Sequence, residues 1–237
     1  MPPNRTPMSA ERLREAREDA HRDAAPFAIV DLVALLGLAF LSKQKDWELL
    51  GTKAWWLWLL VAVPLLALTV RFVVGLGDME SESGRATSIW LLRAVALANA
   101  FGVFALIASL TGLGGSHQPT GGQLLASGFV VLLTNVVSFA FTFWEIDNGG
   151  PVARALATER KAPDFQFPQD DNPGNARPGW EPRLWDYAYV ALTNATAFSP
   201  TDVMPLTRAA KLVMAIESTI SITTVLIVAA RAVNVLK

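Results

Sequence analysis

Long apolar runs separated by polar connections constrain this chain more than any other feature. Five segments qualify, at residues 26–41, 54–75, 89–110, 124–143 and 206–236. About 20 apolar residues are needed to cross the hydrocarbon core of a bilayer. The first segment is short and carries Asp31, so it is the weakest. The second opens on "WWLW", which fits an interfacial tryptophan belt, and contains Pro64, which predicts a kink. The third has Arg93 near its start. The fourth ends in "FWEIDNGGP", where Trp144, Glu145 and Asp147 mark a return to water. The chain is 52% hydrophobic and only 17% charged, and its charges cluster between the runs. This profile predicts an all-α polytopic integral membrane protein with four or five transmembrane helices and the lipid bilayer as its first partner.

Composition also excludes several function classes. A net charge of −1 gives no electrostatic support for nucleic-acid binding. There is no cysteine, so disulfides, thiolate catalysis and Cys-ligated metals are ruled out. The two histidines, His21 and His117, lie far apart in polar segments, which argues against a His-based metal cluster. The glycines of 112–122 form no phosphate-binding pattern. No Ser–His–Asp set and no metal-ligand spacing points to an enzyme, and no cofactor is expected.

Four regions follow. Residues 1–25 mix both charge signs in "ERLREAREDAHRD", which predicts a solvated helix with i,i+4 pairs rather than a secretory signal. Residues 26–147 hold the first four apolar segments. Residues 148–183 form a polar loop rich in Pro and Gly, with a short helix over 152–161, an extended piece at "DFQFP" and a turn at "DDNPGNARPG". Residues 184–237 hold an aromatic stretch, a polar stretch and the last apolar run.

That last region is unusual. "LWDYAYVALTNATAF" contains only about ten membrane-like residues, a length suited to a half-membrane helix. "SPTD" and Pro205 then interrupt it before a full-length helix. Non-helical backbone at membrane depth survives only when it is buried in protein or lines a watery cavity. The order predicts a re-entrant half-helix, a polar elbow and a return. The elbow comprises Thr193, Asn194, Thr196, Ala197, Phe198, Ser199, Pro200, Thr201 and Asp202. Its hydroxyls and amide either ring a pore where several chains meet or satisfy backbone groups freed by the bend.

In this order of elements the C-terminal region resembles the pore module of the potassium-channel-like pore-loop superfamily. "WDYAYVALTNAT" stands where those channels place a pore helix ending in threonines, and Asp202 stands at their acidic position after the filter. "VMPLT" resembles their proline–threonine step, and "RAAKLVMAIESTISITTVLIVAARAV" their inner helix. The resemblance implies an outer helix at 124–143, a turret at 148–183, a homotetramer and a monovalent cation as ligand. The sequence departs from it at the filter. Gly-Tyr-Gly is absent, and Phe198, Ser199, Pro200 and Thr201 stand in its place. Pro200 fixes φ near −65° and removes an N–H, which argues against potassium selectivity and a multi-ion carbonyl filter. The layout is also similar to the DUF1345 group of uncharacterised bacterial membrane proteins, which implies a bacterial inner (plasma) membrane.

Glu217 lies about ten residues into the last run. A charge at the centre of a membrane helix costs roughly 2.5–3.5 kcal/mol on insertion scales. Glu217 is therefore expected to face protein or water, either bracing the half-helix or lining an ion path. Asp31, Arg71 and Arg93 are the other ionisable groups in or near apolar runs. The arginines can snorkel, and an Asp31–Arg pair across helices is conceivable. Asp186, Asp202, Glu145 and Asp147 fit helix capping and interfacial charge better than hydrolysis or metal binding.

Orientation is in conflict at this level. Five spans place the termini on opposite sides. Arg5, Arg12, Arg14, Arg17 and Arg22 favour a cytoplasmic N-terminus and hence a cytoplasmic 148–184 loop. A channel-like module requires that loop outside. Either 26–41 does not cross or the N-terminus is outside. Two other functions remain: a non-conducting scaffold or sensor that keeps the pore-loop architecture, and a small-solute transporter.

Overall fold

The computed structural model describes residues 10–48, 53, 55–74, 82–111, 120–156, 162–172, 174, 176–178, 180–197 and 203–235. Five long helices form the body: α1 (Ala10–Gln44), α2 (Leu57–Val74), α3 (Glu82–Thr111), α4 (Gly121–Ile146) and, last in the chain, α8 (Arg208–Val235). Between α4 and α8 lie the short helices α5 (Pro151–Leu156) and α6 (Pro168–Asp171) and the 14-residue helix α7 (Leu184–Ala197). Two short strands, β1 (Phe165–Gln166) and β2 (Met204–Pro205), pair antiparallel, Phe165 opposite Pro205 and Gln166 opposite Met204.

Among the described residues, α1, α4 and α8 are long and apolar enough to cross a membrane. Shorter apolar stretches lie in α2 (Leu57–Ala67) and α3 (Arg93–Ala105). Large apolar side chains stay exposed on α1, α2, α3, α4 and α8, for example Val33, Val63, Leu97, Phe129 and Leu226. That exposure is what a lipid-facing belt requires.

The charged N-terminal stretch and the first apolar run form a single helix, with Pro26 inside it. Sequence reasoning had separated them at residue 25. A proline removes one helix hydrogen bond and crowds the carbonyl of residue i−4, and tertiary packing offsets that cost. Ala20, Ala24 and Ala28 make an i,i+4 stripe with at most 3% exposure, so this part of α1 lies flush against its neighbours rather than standing alone in water.

The two ends of the bundle are fixed by specific contacts. At one end Gln123, in the first turn of α4, donates from Nε2 to the Glu48 carbonyl just beyond α1, at 3.1 Å. Thr120 caps the same turn, accepting from the Gln123 N–H at 3.3 Å. At the other end Arg183 pairs with Asp23 at 3.8 Å, and Trp185 meets Phe27 edge-on at 4.6 Å. The first half of α1 thus shares an end with the C-terminus of α4 and the start of α7. Because α1 runs antiparallel to α4 over this whole length, the 26–41 segment traverses the bundle.

The 148–183 segment closes that second end. In "DFQFP" alternate residues turn the same way, and Phe165 and Phe167 are 1% and 3% exposed. Phe165 sits 5.1 Å from the Phe143 ring and 6.1 Å from Tyr187; Phe167 sits 5.3 Å from Tyr187 and 5.8 Å from Trp180. Burying one such ring contributes roughly 1.5–3 kcal/mol. The expected helix at 152–161 is seen as α5, and the rest of that stretch lies outside the described residues.

Candidate functional site

The site is a polar seam between α4, α7 and α8, with a layer of ties at the closed end and a second layer deeper in the bundle. In the outer layer α4 ends at Asp147. The chain reverses through Asn148, Gly149 and Gly150, all at positive φ (51°, 87° and 96°). The reversal aims the Asp147 carboxylate inward, where it is 2% exposed. Its Oδ1 accepts from the backbone N–H of Asp164 at 2.8 Å and of Phe165 at 3.3 Å, and its Oδ2 accepts from the Tyr187 hydroxyl at 2.5 Å. Arg154 donates to the carbonyls of Trp144 and Asp147 at 2.9 and 2.5 Å, placing a cation at the C-terminus of α4 where the helix dipole favours it. Burial pushes the Tyr187 hydroxyl well above its ordinary value; Asp147 pushes the same way and Arg154 opposes. The phenol therefore remains a donor.

Asp164 extends this layer to α8. Its Oδ1 accepts from the Thr207 hydroxyl at 2.6 Å, its Oδ2 from the Asn148 N–H at 3.3 Å, and its carbonyl from the Leu206 N–H at 2.8 Å. Thr207 in turn accepts from the Ala210 N–H at 3.2 Å in the first turn of α8. Residues 147, 164, 187 and 204–207 are thus bound together at one end of the bundle.

The deeper layer begins at Asn194. Its Nδ2 donates to Glu217 Oε2 at 2.7 Å and to the Met214 carbonyl at 2.9 Å, and its Oδ1 accepts from the Ser218 hydroxyl at 3.0 Å. On the same face of α8, one turn further along, Asn135 of α4 donates to the Ser221 hydroxyl at 2.8 Å and to the Glu217 carbonyl at 3.3 Å. Glu217 and Asn135 are fully buried. Glu217 Oε1 and Asn135 Oδ1 have no hydrogen-bond partner among the described residues.

These two layers fix a direction. Tyr187 is in the outer layer and Asn194 in the inner; Thr207 is in the outer layer and Glu217 in the inner. Helices α7 and α8 therefore both run inward from the same end, side by side. At about 1.5 Å per residue α7 is roughly 21 Å long, short of a bilayer's roughly 30 Å core. Only the short segment between Ala197 and Val203 connects its inner end back to the outer layer.

The residues expected to form the elbow divide accordingly. Asn194 is 3% exposed and forms the brace. Thr193 donates to the carbonyls of Tyr189 and Val190 at 2.9 and 3.0 Å, and Thr196 to that of Leu192 at 2.7 Å, so both hydroxyls are spent on their own helix. Ala197 is the last residue of α7. Phe198, Ser199, Pro200, Thr201 and Asp202 lie outside the described residues. Asp186 caps α7 by accepting from the Arg183 N–H at 2.7 Å. Arg93 stacks over Trp90 at 5.0 Å. An Asp31–Arg pair is not formed among the described residues: Asp31 is fully buried and faces Thr134 of α4. The side chain of Arg71 lies outside the described residues.

Sequence reasoning did not single out Asn135, Asp164, Tyr187 or Thr207. Asn135 carried a usable signal, an amide in the middle of an apolar run. The others sit in polar or interfacial stretches where nothing local distinguishes them. Comparison with protein-family models, curated proteins and solved structures finds no match for the chain.

Proposed function

We propose that this chain is a polytopic membrane protein carrying a pore-type module, with α4 as outer helix, α7 as re-entrant half-helix and α8 as inner helix. It is channel-like and works as a homotetramer on a monovalent cation, in a bacterial inner membrane. One observation supports this best: α7 and α8 run inward from the same end, and α7 is too short to cross. A half-length helix beside a full-length helix that enters from the same end is the arrangement a pore-type module requires. The exposed stripe of α7, Trp185, Tyr189, Leu192 and Thr196, is then the face offered to neighbouring copies.

Pro200 and the missing glycines favour a second reading, a non-conducting scaffold or sensor with the same architecture. Purified oligomers in planar bilayers separate the two. The channel reading predicts a cation current that changes when Thr196 or Ser199 is replaced. Silence under every gradient and voltage, with the oligomer confirmed, favours the scaffold.

A further inference from the structure

We infer that the end of the bundle from which α7 enters, where the first half of α1, the end of α4 and the starts of α7 and α8 meet, faces the cytoplasm, opposite to the orientation that the pore-module resemblance implies. This rests on the membrane reading above and adds its orientation. Two observations carry it together. Packing assigns the segments to ends independently of charge. The Asp23–Arg183 pair at 3.8 Å and the Phe27–Trp185 contact at 4.6 Å join the first half of α1 to the start of α7. The Tyr187–Asp147 and Thr207–Asp164 bonds add the end of α4 and the start of α8. The Gln123–Glu48 bond defines the opposite end.

Basic residues are then very unequally shared. Arg12, Arg14, Arg17 and Arg22 lie in the early turns of α1, Arg154, Arg177 and Arg183 in the connection from α4 to α7, and Arg208 and Lys211 at the start of α8. The opposite end has Lys43, Lys45 and Lys53 near the α1–α2 connection and Arg231 late in α8. Lysine and arginine in short loops and near span ends set orientation, whereas acidic residues contribute little. The acidic groups mixed into the first end therefore do not offset the bias. The connection of 148–183 is also short enough for its charges to count. Since α1 traverses the bundle, a channel-like orientation cannot be recovered by leaving 26–41 out of the membrane. It would need the arginine-rich stretch of α1 to be translocated as well.

The chain contains no cysteine, so single cysteines report cleanly. Asn172 and Lys45 are exposed and lie at opposite ends. The full chain carrying N172C or K45C is expressed in a bacterial host and treated with a membrane-impermeant maleimide, first on intact spheroplasts and then after permeabilisation. K45C is expected to label on intact spheroplasts, and N172C only after permeabilisation. Labelling of N172C on intact spheroplasts, or equal labelling of the two positions, overturns the inference. The result does not depend on whether the protein conducts, so a silent bilayer experiment leaves it standing, and an inverted labelling pattern leaves the pore-type reading to its own test.

Discussion

At the scale of single residues, Asn194 is the group on which the inner layer depends. It supplies the hydrogen bond that Glu217 Oε2 accepts, holds the Met214 carbonyl and accepts from Ser218. Removing the amide leaves the buried Glu217 carboxyl and the Met214 carbonyl without their donor, whereas changing the acid conservatively does not. Asn194→Leu should cost about 1–3 kcal/mol. Glu217→Gln keeps an acceptor for Asn194 and should cost about 1 kcal/mol. Thermal unfolding of the purified protein in detergent measures both, and a loss for Glu217→Gln larger than that for Asn194→Leu would contradict the expectation. Tyr187 makes a pH-dependent prediction. Its folded value lies above the ordinary 10.0 because burial raises it. The stabilisation it brings is therefore fully present below about pH 10 and declines as pH rises further, where the unfolded chain loses the proton and the folded one keeps it. Tyr187→Phe should be less stable at neutral pH by about 1–3 kcal/mol, and that gap should narrow above about pH 10.

At the scale of elements, close approach of α4 to α8 is what lets Asn135 reach Ser221. Gly128 is the contact point: a Cβ built there would overlap Val228 Cγ2. Gly128→Ala should therefore cost about 1–3 kcal/mol through overpacking. Gly37, in α1, has nothing within 4 Å of the corresponding position. Gly37→Ala should be neutral or stabilising by up to about 1 kcal/mol, as helix propensity dictates. Melting temperatures of the two variants check the contrast. The same scale shows what the sequence could and could not disclose. The long helices were legible because their apolar runs need no partner to be recognised, and the 14-residue helix α7 because its apolar run is short. The join of 1–25 to 26–41 was not, since Pro26 is a local stop signal that packing by Ala20, Ala24 and Ala28 overrides. The extended piece at Phe165 was foreseen, but its pairing with Met204 and Pro205 was not, because strand partners some forty residues apart leave no local mark. Glu217 was legible as a group that needs a partner, because a carboxylate in an apolar run demands one. The outer ties of Asp147 were not, since an acid at a helix end has an adequate local explanation in capping.

At the scale of the whole molecule, five long helices form the body, and α7 and α8 run inward side by side from the end that holds Asp147 and Asp164. A chain in which α7 crossed would put the elbow and the start of α8 at the opposite end from the 148–183 connection. Single cysteines on either side of α7 distinguish these directly. Glu181 is exposed before it, and Leu206, 44% exposed, follows the return. In the cysteine-free chain, E181C and L206C are each treated with a membrane-impermeant maleimide on sealed right-side-out and inside-out vesicles. The account predicts that both positions label in the same vesicle orientation and both are protected in the other. Labelling of the two positions from opposite faces would contradict it.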